Sequence, residues 1–338
     1  MKMKPISIKC GNVTPSAAEV DHDSVISCWM AAERYFSSNS IELDEKTSLK
    51  IQIDAKAIRE RLHDLKPENC DKFFQRYFQE KGSRDLEGDH PFSAILKVTV
   101  FDEFPEGGLN RAVFIRHFTE QLFLAMNICT RGGCSYGSIS IDRSIQEHAL
   151  HCGTLESGWH RATIDNWPRL KNIAFDDVWK WMERNGGLSY LLAETPVRKA
   201  LAVLLHLSYK SDVEATDVVQ LSQVLESFYL SKGEPKARGL SKKIPAVIGD
   251  FPENGKRWLN EFYKLRSDIV HGDFPIFRPR YGEEDSGFDV VEERYWEISG
   301  AIDRGVSIII ATMQDLILNN SNHYVFKEEI VVKTDNYG

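Results

Sequence analysis

Glu261-Phe262-Tyr263-Lys264-Leu265-Arg266-Ser267-Asp268-Ile269-Val270-His271-Gly272-Asp273 is the stretch around which the rest of the chain is arranged. Apolar residues recur at Trp258, Phe262, Leu265 and Ile269, the spacing of one face of an amphipathic helix. Gly272, directly after His271, suits the left-handed position that closes such a helix. The spacing therefore predicts a helix whose last turn carries an imidazole. Arg266 falls on the row Leu259, Tyr263, Arg266, Val270, which flanks the apolar stripe. Its guanidinium is expected at the edge of a core, where a cation needs an anion. Five helical positions separate Arg266 and His271 by about 140° and roughly 7.5 Å along the axis. One regular helix does not aim both at a single point unless its last turn unwinds at Gly272.

The surrounding sequence supplies more helices. Phe175 to Arg184, carrying Trp179 and Trp181, reads as a short helix stopped by Asn185-Gly186-Gly187. Thr195-Pro196 places a capping residue before a proline at the first helical position and opens a helix over Val197 to Tyr209. Apolar residues nearly all round that helix put it deep in a bundle. Thr216-Asp217 opens the next, striped at Val218, Leu221, Leu225 and Phe228. Glu226 sits one step off that stripe, a carboxylate at a core margin as Arg266 is a cation at one. Residues 237 to 249 read as a basic helix broken at Pro245. After the motif come an aromatic connection, Phe274 to Phe288, and a long helix, Glu292 to Asn319. Alternation in Tyr324 to Lys333 suggests a strand returning to a sheet in the first half. Residues 171 to 338 thus read as an antiparallel helical bundle with a C-terminal tail.

An arginine, four intervening residues and a histidine at a helix end, preceded by apolar helices and a Leu221-Ser222-Gln223-Val224-Leu225-Glu226 segment and followed by one long helix, resembles the HEPN superfamily. The match looks most like its Apea-like branch and covers about residues 171 to 320. Many members are RNases that act without a metal. In the chemistry the resemblance implies, the RNA 2′-hydroxyl attacks the adjacent phosphate and leaves a 2′,3′-cyclic phosphate and a 5′-hydroxyl. The cleft is built from the motif helices of two protomers, so a homodimer is implied. Carried onto this chain, His271 is the general base or acid, and Arg266 holds the phosphate and neutralises its developing charge.

Ser267 stands where the family more often has Asn, Asp or His, although a hydroxyl still bonds phosphate. Glu226 is either the partner that orients Arg266 or a surface glutamate. Lys242, Lys243, Lys264, Arg278 and Arg280 are the RNA-binding candidates, and no cofactor or metal is implied. The family's frequent use as toxins and anti-phage effectors implies a conditional RNase governed by the rest of the chain. Other readings stay open. The half could be a non-cleaving HEPN-like module that binds nucleic acid or a partner, or Arg266 could be salt-bridged while His271 caps its own helix.

Composition sets the outer bounds. With 338 residues, 42% hydrophobic and 27% charged, the chain has the make-up of an ordinary soluble protein with room for two domains. No segment approaches the ~18 apolar residues of a membrane span, and Met1 to Pro5 lead into no signal-peptide core. Six cysteines, irregularly spaced in the first half and absent from the second, are the usage of a reduced protein, so a cytoplasmic location with no membrane partner is expected. A net charge of −8 argues against a general nucleic-acid-coating protein. Yet residues 231 to 280 hold eleven Lys or Arg against six Asp or Glu, either a basic face for a polyanion or a solvated surface.

Residues 1 to 170 read as a mixed α/β domain with room for a regulatory partner or ligand. Asp21-His22-Asp23-Ser24 precedes a helix through about Phe36 and reads as capping chemistry rather than a metal cluster. Ser48 to Ile53 and Phe92 to Phe101 alternate like strands, with a helix from about Ala55 to Leu65 between them. A long apolar helix, Leu109 to Cys129, is followed by a strand over Ser138 to Asp142. Gly133-Cys134-Ser135-Tyr136-Gly137 matches the G-x-S-x-G nucleophile elbow, which would make Ser135 the nucleophile of an unrelated hydrolase. Its flanks are not the strand and helix an elbow needs, and a hairpin turn is expected. Cys129, Cys134, His148, His151 and Cys152 are zinc-type ligands at spacings that fit no zinc motif, so buried thiols and surface imidazoles explain them more simply. No glycine loop of the Walker or Rossmann kind is present. The expected fold class is α+β: an N-terminal mixed α/β domain, 1 to 170, followed by an all-α HEPN-like helical bundle, 171 to 338. The boundary is expected between Trp159 and Lys171.

Overall fold

A computed structural model describes residues 6–11, 20–44, 47–81, 92–101, 111–141, 144–187, 192–275 and 289–327. In chain order the first half contains β1 (Ile6–Gly11), α1 (His22–Ser38), β2 (Ser40–Asp44), β3 (Thr47–Asp54), α2 (Lys56–Asp64), α3 (Pro67–Lys81), β4 (Ala94–Val100), α4 (Arg111–Cys129), β5 (Ser135–Ile141) and β6 (Ser144–Leu150). Then come α5 (Gly153–Ile164), α6 (Phe175–Arg184), α7 (Pro196–Ser208), α8 (Ala215–Tyr229), α9 (Lys236–Ile248), α10 (Gly255–His271) and α11 (Asp289–Leu318). The architecture of the described residues is α+β. The strands form one antiparallel sheet in the order β2-β3-β4-β1-β5-β6, and the later residues are helical.

Alternation explains how the sheet is seated. Ile6, Ile8 and Cys10 of β1, Leu49, Ile51 and Ile53 of β3, and Leu96, Val98 and Val100 of β4 are buried. Their neighbours Lys9, Lys50, Gln52, Ile95 and Lys97 are exposed, so one face is covered and the other is not. The cover comes from α1, which packs on β3, α2, which packs on β4, and α4. At the start of α1 a carboxylate oxygen of Asp21 accepts from the Ser24 backbone N–H at 3.1 Å, the capping role its sequence suggests.

The helical half is not insulated from the sheet. Phe36 of α1 meets Phe118 of α4 at 5.3 Å and Trp179 of α6 at 4.8 Å between ring centroids, which fastens α6 to the first half. α5 lies along α11 so closely that a Cβ on Gly158 would come within 2.6 Å of Val306, and only glycine allows that crossing. One buried cluster therefore extends from β1 to α11, and the expected boundary region begins inside α5.

Local signals placed several helices well. α6 spans the expected residues, and Thr195 caps α7 by accepting from the Arg198 N–H at 3.3 Å. α8 starts slightly earlier than expected because Glu214 and Asp217 form a reciprocal capping box. α9 is not broken at Pro245. The proline sits near its C-terminal end, where few ladder bonds are at stake, and Gly249 closes onto the Pro245 carbonyl at 3.1 Å. The tail also departs from expectation. Residues 324 to 327 are not a strand on the sheet; Tyr324 stacks on Tyr229 at 6.0 Å and donates to the Thr312 carbonyl at 3.1 Å, so they stay on the bundle. The rest of that segment lies outside the described residues.

The seam between α5 and α11 holds a charge cluster. Asp165 accepts from Arg161 at 3.0 Å and from Arg304 at 2.9 Å. Beside Arg304, burial pushes the Asp303 carboxyl up to about 6, against the pull of Arg161 and His160. A carboxyl raised in the fold contributes stability at low pH that is lost as pH rises through 6, because the penalised form is the charged one. Asp303→Asn is therefore expected to raise the unfolding free energy at pH 7 by on the order of 2 kcal/mol, with little change near pH 4. Denaturant titrations at both pH values check this, and an equal effect at both would contradict it.

Candidate active site on the motif helix

The motif stretch forms α10, which packs against α8 and α9. Trp258, Leu259, Phe262 and Leu265 are buried, and Ile269 is half-buried on the same face. Burial then fades: Val270 is 48% exposed and His271 is open to solvent. Gly272 takes the left-handed conformation, φ 82° and ψ 13°, and the Asp268 carbonyl accepts from Asp273 at 2.8 Å and from Phe274 at 3.1 Å. This closure keeps the helix regular through His271. Its last turn does not unwind, so Arg266 and His271 diverge as the helical geometry requires.

Arg266 is half-buried, and its Nε is fully buried with no acceptor. Among the described residues it forms no ion pair. Of the two readings of Glu226, the partner of Arg266 is not seen: the carboxylate is held by Lys236 at 2.8 Å and receives the Tyr263 hydroxyl at 3.4 Å. Burial, with the Glu226 carboxylate second, pushes the Tyr263 phenol well above its usual range, and Arg266 opposes the shift. Glu226, Lys236, Tyr263 and Arg266 therefore share one electrostatic neighbourhood at the junction of α8, α9 and α10. Tyr263 and Lys236 were not singled out from sequence, although Tyr263 lies on Arg266's own helical row.

His271 makes no side-chain hydrogen bond to its helix's last carbonyls or to any other described residue. Ser267 is half-buried next to Arg266. Of the RNA-binding candidates, Lys242 and Lys264 are exposed. Lys243 is occupied, bonded to Glu234 at 2.6 Å and lying 4.8 Å over the Phe326 ring. Arg278 and Arg280 lie outside the described residues. Large apolar side chains stand near the motif's end. Arg294 of α11 sits 5.9 Å over the Phe274 ring, and the neighbouring Tyr295 and Trp296 are 37% and 61% exposed.

The remaining motifs resolve differently. Ser135 begins β5, and its buried Oγ accepts from the Cys152 backbone N–H at 3.1 Å. It is neither an elbow nor a turn, since the β5–β6 hairpin turns beyond Ile141. Cys129, Cys134 and Cys152 are buried, and burial pushes the Cys152 thiol up to about 12. Among the described residues no three His, Cys, Asp or Glu side chains gather as metal ligands, and no helix is long and apolar enough to cross a membrane. The side chain of His148 lies outside the described residues.

Compared with family models, with curated proteins and with solved structures, the chain finds no significant match in any of the three.

Proposed function

We propose that the chain is a metal-independent endoribonuclease of HEPN type, acting as a conditional toxin or anti-phage effector. The observation that carries this reading is the Arg266 guanidinium, held at a core margin with a buried N–H that nothing in the described structure accepts. A half-buried cation with an unmet donor and no carboxylate partner is suited to an anion from outside the fold. An RNA phosphate supplies one. His271, exposed and unbonded, takes the proton of the 2′-hydroxyl as that oxygen attacks phosphorus. The bond from phosphorus to the 5′-oxygen breaks, and an imidazolium returns a proton to the leaving oxygen.

Because α10 stays regular, the two groups need a second polypeptide surface to converge, most simply the same motif across a two-fold axis. Val270, Tyr295 and Trp296 provide exposed apolar area for that contact. The test is complementation: Arg266→Ala and His271→Ala proteins, each inactive alone, are mixed and allowed to exchange subunits. Activity is expected to return in part, and Trp296→Glu is expected to leave a monomer with cleavage reduced at least tenfold. A wild-type chain that sediments as a monomer while cleaving RNA would overturn the composite site.

A further inference from the structure

Away from the motif helix, α4, α6 and α7 line a cavity of about 210 Å³ that opens to solvent. Leu124, Met182, Leu201 and Leu205 give it apolar walls. Its polar groups converge from two helices. Gln121 of α4 lines the cavity while only 5% exposed, and its Nε2 has no hydrogen-bond acceptor among the described residues. A buried amide left unmatched on a cavity wall needs an account, since such groups normally find a partner. Neighbouring Glu120 accepts from the Tyr209 hydroxyl, and the imidazoles of His117 and His206 complete the rim.

We propose that this cavity binds a small, uncharged, planar heterocycle of nucleobase or nucleoside size. An apolar slot with a few convergent polar groups is the usual form of a small-molecule site. Among the described residues no lysine or arginine lines it, and the one lining carboxylate, Glu120, has Arg116 at 4.0 Å, so the walls offer no free cation for a phosphate or other anion. A carboxamide pairs with a ring nitrogen and an exocyclic group on one edge of a base, and the thioether of Met182 suits a ring face. The walls come from α4, which covers the sheet, and from α7, which belongs to the helical bundle. A bound heterocycle would therefore join the two halves. This inference uses no residue of the motif helix and stands or falls independently of RNA cleavage.

The experiment titrates the full chain with adenosine, guanosine, cytidine and uridine, and with their 5′-monophosphates, by calorimetry and saturation-transfer NMR. At least one nucleoside is expected to bind, with its monophosphate at least tenfold weaker. Gln121→Met keeps the side-chain length but removes the amide, and it is expected to weaken binding about tenfold. Ala202→Trp is expected to fill the cavity and abolish binding; if that variant does not fold, Gln121→Met decides alone. Three results would overturn the proposal: no nucleoside bound at millimolar concentration, binding unchanged in Gln121→Met, or a monophosphate binding as tightly as its nucleoside.

Discussion

His271→Ala protein is expected to lose RNA cleavage by about 10²- to 10⁴-fold, the contribution of a positioned general acid or base, while keeping the wild-type thermal midpoint. The second half of this expectation follows from the surroundings of the side chain. His271 is exposed at the end of α10, it makes no side-chain bond, and the helix is closed by the backbone at Gly272 without it. Removing the imidazole leaves no cavity and no orphaned partner, so surface-mutation effects of within about 0.5 kcal/mol are expected. A histidine that capped its own helix would behave in the opposite way, with stability lost and activity absent from the start. Measuring both quantities on one preparation separates the two roles, and full cleavage by His271→Ala would show that the site is wrong.

Arg266 should separate activity from stability even more sharply. Arg266→Lys is expected to lose about 10²-fold or more in cleavage, because a point charge does not reproduce a planar fork on phosphate. Arg266→Met should be as inactive, yet its unfolding free energy should equal or exceed that of the wild type. The reason is the buried Nε without an acceptor. An unsatisfied buried donor costs roughly 1–3 kcal/mol, and a methionine of similar length removes that cost while keeping an apolar stem at the core margin. Were Arg266 part of a structural ion pair, the same substitution would strand a buried carboxylate and cost about 3–5 kcal/mol. Chemical denaturation of Arg266→Met therefore tests the functional reading without any RNA, and a large loss of stability would count against it.

The motif helix was legible in the sequence because everything that defines it is local. Its apolar stripe repeats within one element, and Gly272 marks its end with a conformation that side chains resist. The row holding Tyr263 and Arg266 followed from the same periodicity. What lay beyond sequence was the pairing of side chains between elements. Glu226 and Arg266 share a core margin, but the carboxylate turns to Lys236, at the start of a helix whose packing angle no local pattern encodes. Lys243 looked like an RNA contact in a basic run, and its use by Glu234 and Phe326 depends on where the tail lands. The tail itself alternates like a strand, yet Tyr324 and Phe326 pack on the distant Tyr229 ring, a contact that alternation does not announce. In the first half, β1 alternates plainly at Ile6, Ile8 and Cys10, so its strand is legible from local pattern alone. β2 and β6 are edge strands, each paired with the strand next to it in sequence, whereas the pairing of β1 with β4 and β5 joins residues about a hundred positions apart and leaves no local trace. The unmatched amide of Gln121 is a fact of three helices meeting and has no trace in the order of residues.

The most direct measurement incubates the purified full-length chain with mixed RNA in excess EDTA, beside His271→Ala, and identifies the ends of the products. Cleavage by the wild type in chelator, with 2′,3′-cyclic phosphate and 5′-hydroxyl termini and none of it from His271→Ala, is the expected result. Cleavage that stops in EDTA, or that leaves 5′-phosphate ends, or that persists undiminished in His271→Ala would contradict a metal-independent Arg266/His271 site.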